Sequence, residues 1–188
     1  MAPLDSTPQL RNQPAIRRAT LDDIDALLDI EQASFHGDRL SRRSFRHLLD
    51  GANALILLDE HEGELRGYIT LLFRTKVQVA RVYSIATHPR YLGQGVAAAL
   101  LLTAEQAALT HGCVTMRLEI RHDNQASLRL FQSRGYAIFG EHQDYYEDGM
   151  AAHRLEKSLT RHLRPGLARY GRQGSKAVVL IYPPAAVS

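Results

Sequence analysis

Residues 85–100 constrain this chain more than any other stretch. They read Ile85-Ala86-Thr87-His88-Pro89-Arg90-Tyr91-Leu92-Gly93-Gln94-Gly95-Val96-Ala97-Ala98-Ala99-Leu100. That is an apolar, β-prone run, a turn with two glycines, and then a helix. A strand that passes through a tight glycine turn straight into a helix aims unpaired backbone N–H groups at one point, at the positive end of the helix dipole. Such a point attracts anions. The small residues Gly93, Gly95, Ala97 and Ala98 let a phosphorylated ligand approach the backbone closely. No Gly-Lys-Ser/Thr follows, so this is not a Walker loop, and the three spaced glycines of a dinucleotide fingerprint are missing. The plainer reading is a strand-to-helix turn whose glycines serve geometry alone.

Periodicity elsewhere completes an α/β pattern. Residues 15–19 read as a short strand. Thr20 then caps a helix carrying Leu21, Ile24, Leu27, Leu28 and Ile30 at helical spacing, with Asp22 and Asp23 near its positive end. Ser41 opens a second helix, which buries Phe45, Leu48 and Leu49 and stops at Gly51. Residues 54–58 and 65–73 are β-prone runs around a polar turn, a hairpin that residues 77–87 extend into a meander. A helix over 95–111, apolar on most sides, is expected to be buried. A strand over 114–121, a helix over 124–134 and strands over 136–140 and 151–155 follow. The order β-α-α-β-β-β-α-β-α-β-β has no internal repeat. It predicts one α/β (α+β) domain over 15–158, between a polar leader (1–14) and a basic tail (159–188). An apolar run at 177–182 in that tail adds an edge strand or pairs with another chain.

A chain of 188 residues, 45% hydrophobic and 23% charged, fills one core of ordinary size and is neither low-complexity nor wholly disordered. No apolar run approaches the roughly 18 residues of a membrane span, and the leader lacks the apolar stretch of a signal peptide. Cys113 is the only cysteine, which excludes an intrachain disulfide. A reducing cytoplasm is the expected compartment. The formal charge of +3 is unevenly placed: six basic and no acidic side chains lie from Lys157 onward, against 17 basic and 20 acidic before it. The tail is either a solvated terminus or a contact for nucleic acid or the ribosome.

In the strand expected at 114–121, alternation puts Leu118 and Ile120 on one face and Arg117, Glu119 and Arg121 on the other. A mid-strand carboxylate such as Glu119 is a general-base candidate; an ion pair on a wet sheet face is the plainer reading. Asn124 stands where the next helix needs a cap. The nine histidines show no close zinc spacing, and Cys113 sits where a core thiol is usual, so no metal site is expected.

Taken together, the loop and this strand resemble the acetyl-CoA signature of the GNAT N-acetyltransferases, most nearly the bacterial ribosomal-protein-alanine type, over residues 15–158. The resemblance implies a mixed, mostly antiparallel sheet with a splayed parallel pair and flanking helices. It implies that the backbone of Ile85, Ala86 and Thr87 binds the pantetheine arm of acetyl-CoA, and that Gly93, Gln94, Gly95, Val96, Ala97 and Ala98 wrap the pyrophosphate. It further implies that Asn124 contacts this cosubstrate and that Glu119 accepts the amine proton. The run Asp144-Tyr145-Tyr146-Glu147-Asp148-Gly149 is similar to the family's tyrosine-bearing loop beside the peptide groove. Two positions depart from the pattern. Leu92 stands where the loop usually has Arg or Gln. Phe131 stands where the ribosomal-protein enzymes carry the tyrosine proposed as general acid, and phenylalanine has no proton to give. Tyr146, Tyr145, Tyr136, Tyr83 or a water are left for that role, and Tyr146 is taken as the catalytic residue beside Glu119. The implied reaction is direct attack of a neutral amine on the acetyl carbonyl, with backbone N–H groups between the splayed strands stabilising the oxyanion and no metal. The expected acceptor is a protein or peptide amine, foremost an N-terminal α-amine, and the expected state a monomer or homodimer. The alternatives are a small amine (polyamine, amino acid or aminoglycoside) as acceptor, or acetyl-CoA binding without turnover.

Overall fold

The computed structural model describes residues 15–35, 39–74 and 76–160. Its elements are β1 (Ala15–Arg18), α1 (Ile24–Ser34), α2 (Arg42–Asp50), β2 (Ala54–His61), β3 (Glu64–Phe73), β4 (Val79–Thr87), α3 (Val96–Thr110), β5 (Thr115–Arg121), α4 (Gln125–Ser133), β6 (Ala137–His142) and β7 (Ala152–Ser158). Their order matches the one read from periodicity. The leader through residue 14, most of the basic tail and the edge strand expected at 177–182 lie outside the described residues. No described helix is long and apolar enough to cross a membrane.

The start of α1 differs in detail. The Thr20 amide and hydroxyl donate to the Asp23 carboxylate at 2.7 and 3.1 Å, which Arg17 also grips at 2.7 and 2.9 Å. This clamp winds Leu21–Asp23 into a 3-10 turn, so Leu21 points outward and is half exposed while Ile24, Leu27 and Ile30 go inward. Ser41 caps α2 as expected, its oxygen accepting from the Ser44 amide at 3.1 Å. The β2–β3 hairpin is longer than its polar sequence suggested. Its turn is only Glu62 and Gly63, both in left-handed backbone, the conformation that matches strand twist. Asp59, read as part of that turn, is instead a buried strand residue neutralised by Arg66 at 2.6 Å.

Seven strands form one sheet in the order β1-β2-β3-β4-β5-β7-β6, antiparallel except for the β4–β5 pair. Helices α1 and α2 cover one face through Ile24, Leu27, Phe45 and Leu48 against Ile56, Leu58 and Tyr68. Helices α3 and α4 cover the other through Leu100, Ala104 and Phe131 against Ile69, Val82, Met116 and Leu118. Helix α3 buries Val96, Leu100, Leu101, Ala104 and Ala108, whereas Leu102 on its outer side is half exposed, so its burial is one-sided.

Two irregularities shape the sheet's middle. Thr70 pairs with Ser84 but Leu71 with Val82, so Tyr83 is an extra residue in β4, a β-bulge. The bulge lets Val82 and Ile85 both face α3 while Ser84 bonds Tyr68 on the α1 side at 2.6 Å. On its other edge, β4 meets β5 at only three positions, Val79↔Thr115, Ala80↔Met116 and Arg81↔Arg117. Past Arg81 the two parallel strands separate.

Candidate active site

The separation of β4 and β5 leaves the β5-facing backbone of β4 without a strand partner from Val82 to Thr87. Ile85, Ala86 and Thr87 lie there, all three buried. The Thr87 hydroxyl is buried with no hydrogen-bond partner among the described residues, while its carbonyl accepts from Ser34 at 3.3 Å. Beyond Thr87 a 3-10 turn over Pro89–Tyr91 leads to Gly93, Gln94 and Gly95, which are exposed. Gly95 takes φ +82° as the residue that starts α3; a Cβ there would meet open space, so the requirement for glycine is conformational. The first backbone bond at this helix end runs from the Ala99 amide to the Gly95 carbonyl at 3.0 Å, and the amides of Val96, Ala97 and Ala98 precede it. An extended chain bearing amides could pair with the bare β4 edge while its anionic end meets these donors.

Across the gap stands Glu119 on β5, with Leu118 and Ile120 turned into the core as alternation required. Its side chain is 12% exposed and is held by Arg81, whose Nε and Nη2 lie 2.8 Å from Oε2. The same guanidinium donates to the Tyr145 hydroxyl at 2.5 Å. Arg81, Glu119 and Tyr145 are thus a connected triplet drawn from β4, β5 and the β6–β7 loop.

Tyr145 and Tyr146 are buried and meet edge to face at 5.2 Å. Their loop is fixed by its backbone: both amides donate to the Met150 carbonyl at 3.1 Å, and Gly149 donates back to Tyr146 at 2.9 Å. Arg121 anchors it from β5, gripping Asp148 at 2.8 and 3.0 Å and lying 4.8 Å over the Tyr146 ring. Burial pushes both phenols well above the usual tyrosine range; nearby Arg81 and Arg121 pull the other way but do not offset it. Tyr83 is raised for the same reason. These phenols therefore keep their protons, as donors must.

Tyr136 lies on the α3 side of the sheet, bonded to Glu105 at 3.1 Å and packed edge to face on Phe131 at 5.2 Å. Phe131 is fully buried. Cys113 is a buried core thiol. Asn124 caps α4, its side-chain oxygen accepting from the Ser127 amide at 3.1 Å. Arg81 was missed by sequence reasoning; its signal was the single charged residue in the β-prone run of β4.

Comparison with known proteins agrees with this geometry. The profile of the "Acetyltransferase (GNAT) family" matches residues 24–136. A protein of Bacillus subtilis (strain 168) described as "Putative ribosomal protein bS18-alanine N-acetyltransferase" is 27% identical over 139 residues, 74% of this chain and 91% of the relative. The crystal structure of the ribosomal-protein-S18-alanine N-acetyltransferase from Escherichia coli superposes with a TM-score of 0.71 at 23% identity, covering 83% of this chain and 100% of that one. The PaiA N-acetyltransferase of Thermoplasma acidophilum, solved in complex with coenzyme A, gives 0.65 at 16% identity over 78% of this chain and 99% of that one. The family uses acetyl-CoA. The mixed sheet, the splayed pair and the glycine loop agree with the profile match, and the chain is a member of the GNAT family of N-acetyltransferases.

Proposed function

We propose that this enzyme acetylates an N-terminal α-amine of a protein or peptide, with Glu119 as general base. The observation that carries the reading is the position of Glu119. It is a mostly buried carboxylate at the β4–β5 opening, linked through Arg81 to Tyr145 and facing the strand that leads to the α3 amides. The relatives named for ribosomal-protein alanine support a protein terminus as acceptor.

Acetyl-CoA, when bound, supplies an activated acetyl thioester. The bare edge at Ile85, Ala86 and Thr87 would hold its extended arm, and the loop of Gly93, Gln94 and Gly95 with the amides of Val96, Ala97 and Ala98 would hold its pyrophosphate. Asn124, already a helix cap, borders it. An α-amine is mostly protonated at pH 7, so a base that removes its proton raises the reactive fraction. Glu119 does this directly or through a water. Backbone N–H groups at the mouth of the splay stabilise the charge that develops on the carbonyl oxygen. Tyr146 gives a proton to the leaving sulfur, while Tyr145, its oxygen already bound to Arg81, positions Glu119.

The test is coenzyme A release with N-terminal peptides, lysine peptides and polyamines in parallel. N-terminal peptides are expected to turn over, with Glu119→Gln losing about 10²- to 10⁴-fold in kcat/KM and keeping its acetyl-CoA affinity. Turnover confined to polyamines overturns the acceptor class; Glu119→Gln at full rate overturns the base.

A further inference from the structure

A second polar cluster lies where the end of β5 runs beside β7, and β7 beside β6, next to the strand end that anchors the tyrosine loop. His122 directly follows β5, Glu141 is on β6 and His153 is on β7, where the register sets His153 beside both Glu141 and Ile120. One carboxylate oxygen, Glu141 Oε1, lies 3.4 Å from His122 Nε2 and also 3.4 Å from His153 Nδ1. Both nitrogens are buried, and neither makes a well-formed hydrogen bond to any of the described residues. The two rings stack at 3.9 Å and 24°.

This arrangement is poor as a hydrogen-bonded group and good as an incomplete coordination sphere. A hydrogen bond from an imidazole N–H to a carboxylate spans roughly 2.7–3.2 Å, so neither contact closes one. Metal–nitrogen and metal–oxygen bonds of roughly 2.0–2.1 Å in a tetrahedron place neighbouring ligand atoms about 3.4 Å apart. Both observed separations have that length. All three ligand atoms lie within 4.8 Å of one another. Glu141 is 47% exposed, so ions and water reach the cluster from its side.

We propose that His122, Glu141 and His153 bind a divalent transition metal of the imidazole-preferring class, with Zn²⁺ as the leading occupant and one position left for water. Binding requires each ring to turn about its outer torsion, which is soft, so that both lone pairs point to a common centre. A bound ion joins the end of β5 to β6 and β7, and so braces the strand end that carries Arg121. The cluster escaped sequence reasoning because its ligands come from the turn after β5 and from β6 and β7, with no close spacing.

Full-length protein stripped by chelator and dialysed is titrated with Zn²⁺ by calorimetry and with Co²⁺ by visible absorption. One equivalent is expected to bind, with the strong visible bands of tetrahedral Co²⁺ and a rise in Tm on metal addition. His122→Ala, His153→Ala and Glu141→Gln should each weaken binding by at least the roughly 10- to 100-fold that loss of an outer-shell partner costs. His47→Ala, an exposed histidine on α2, should leave it unchanged. Circular dichroism identifies any variant that fails to fold, and Glu141→Gln, which keeps the side chain's shape, guards against that outcome. Failure of the wild-type protein to take up stoichiometric Zn²⁺ or Co²⁺, or equal binding by all the ligand variants, overturns the site. Both readouts are made without acetyl-CoA or an acceptor, so they are independent of the proposed acetyl transfer.

Discussion

Tyr145 and Tyr146 are adjacent, similarly buried and similarly raised, yet their oxygens are used differently. Arg81 donates to Tyr145 and so ties it to Glu119; Tyr146 lies under Arg121 instead. A hydroxyl oxygen that accepts still has its own hydrogen to give, but Tyr145 gives it from a position fixed for holding the base. Tyr146→Phe is therefore expected to lower kcat on the order of 10²-fold, the usual scale of a lost proton donor, and Tyr145→Phe by clearly less. A larger loss in Tyr145→Phe reverses the two roles. The pH dependence follows from the direction of both shifts. Burial disfavours phenolate, so the donor form persists above the ordinary tyrosine pKa. As pH rises, the acceptor amine loses its proton, so turnover should climb through neutrality and hold to about pH 10. A fall between about pH 8 and 9 that Tyr146→Phe abolishes would show that burial does not protect the phenol.

At the scale of elements, the meeting of β3, β4 and the start of α3 depends on Gly67. A Cβ at Gly67 would lie 2.7 Å from both the Ala86 carbonyl oxygen and Val96 Cγ1. One of those atoms is backbone of the strand that pairs with the cosubstrate's arm, and the other is the first residue of α3. Gly67→Ala must therefore push strand and helix apart. A cost of about 1–3 kcal/mol is expected, seen as a lower Tm, together with a raised KM for acetyl-CoA. Gly95→Ala meets no atom and strains only its own left-handed backbone, so it should raise that KM with a smaller loss of Tm. Equal losses of Tm would contradict the crowding at Gly67. The pair also shows what a sequence exposes. Gly95 was legible because its meaning is local: two glycines between a strand and a helix. Gly67 reads as an ordinary strand residue until the chain 19 to 29 residues away is packed over it. The same holds for the site. Glu119, the loop and the tyrosines were legible from alternation and resemblance, whereas Arg81 joins them only because β4 and β5 separate just beyond it. Asp59 was taken for turn because its charge, without Arg66 opposite, argues against burial.

At the scale of the whole molecule, a largely buried ion pair ties the late strand β7 to helix α3. Counted by charge, Lys157 begins the basic tail; in the fold it is on β7, with Nζ 2.7 and 2.8 Å from the Glu105 carboxylate of α3. Tyr136, just before β6, bonds the same carboxylate at 3.1 Å. The two charged side chains are 9% and 12% exposed, so both were largely removed from water, and their attraction must offset that cost. Such a pair adds little net stability against apolar groups of similar size, but it strongly penalises the loss of one partner. Lys157→Met alone is expected to cost about 3–5 kcal/mol, because it strands the Glu105 carboxylate beside Tyr136. Lys157→Met combined with Glu105→Leu should return to within about 1 kcal/mol of the wild type, or exceed it. Urea denaturation of the two single variants and the double variant measures the coupling directly. A double variant as weak as the single one would mean that the pair itself holds β7 to α3. Recovery in the double variant would mean that packing holds them together, and that the charges fix which side chains meet.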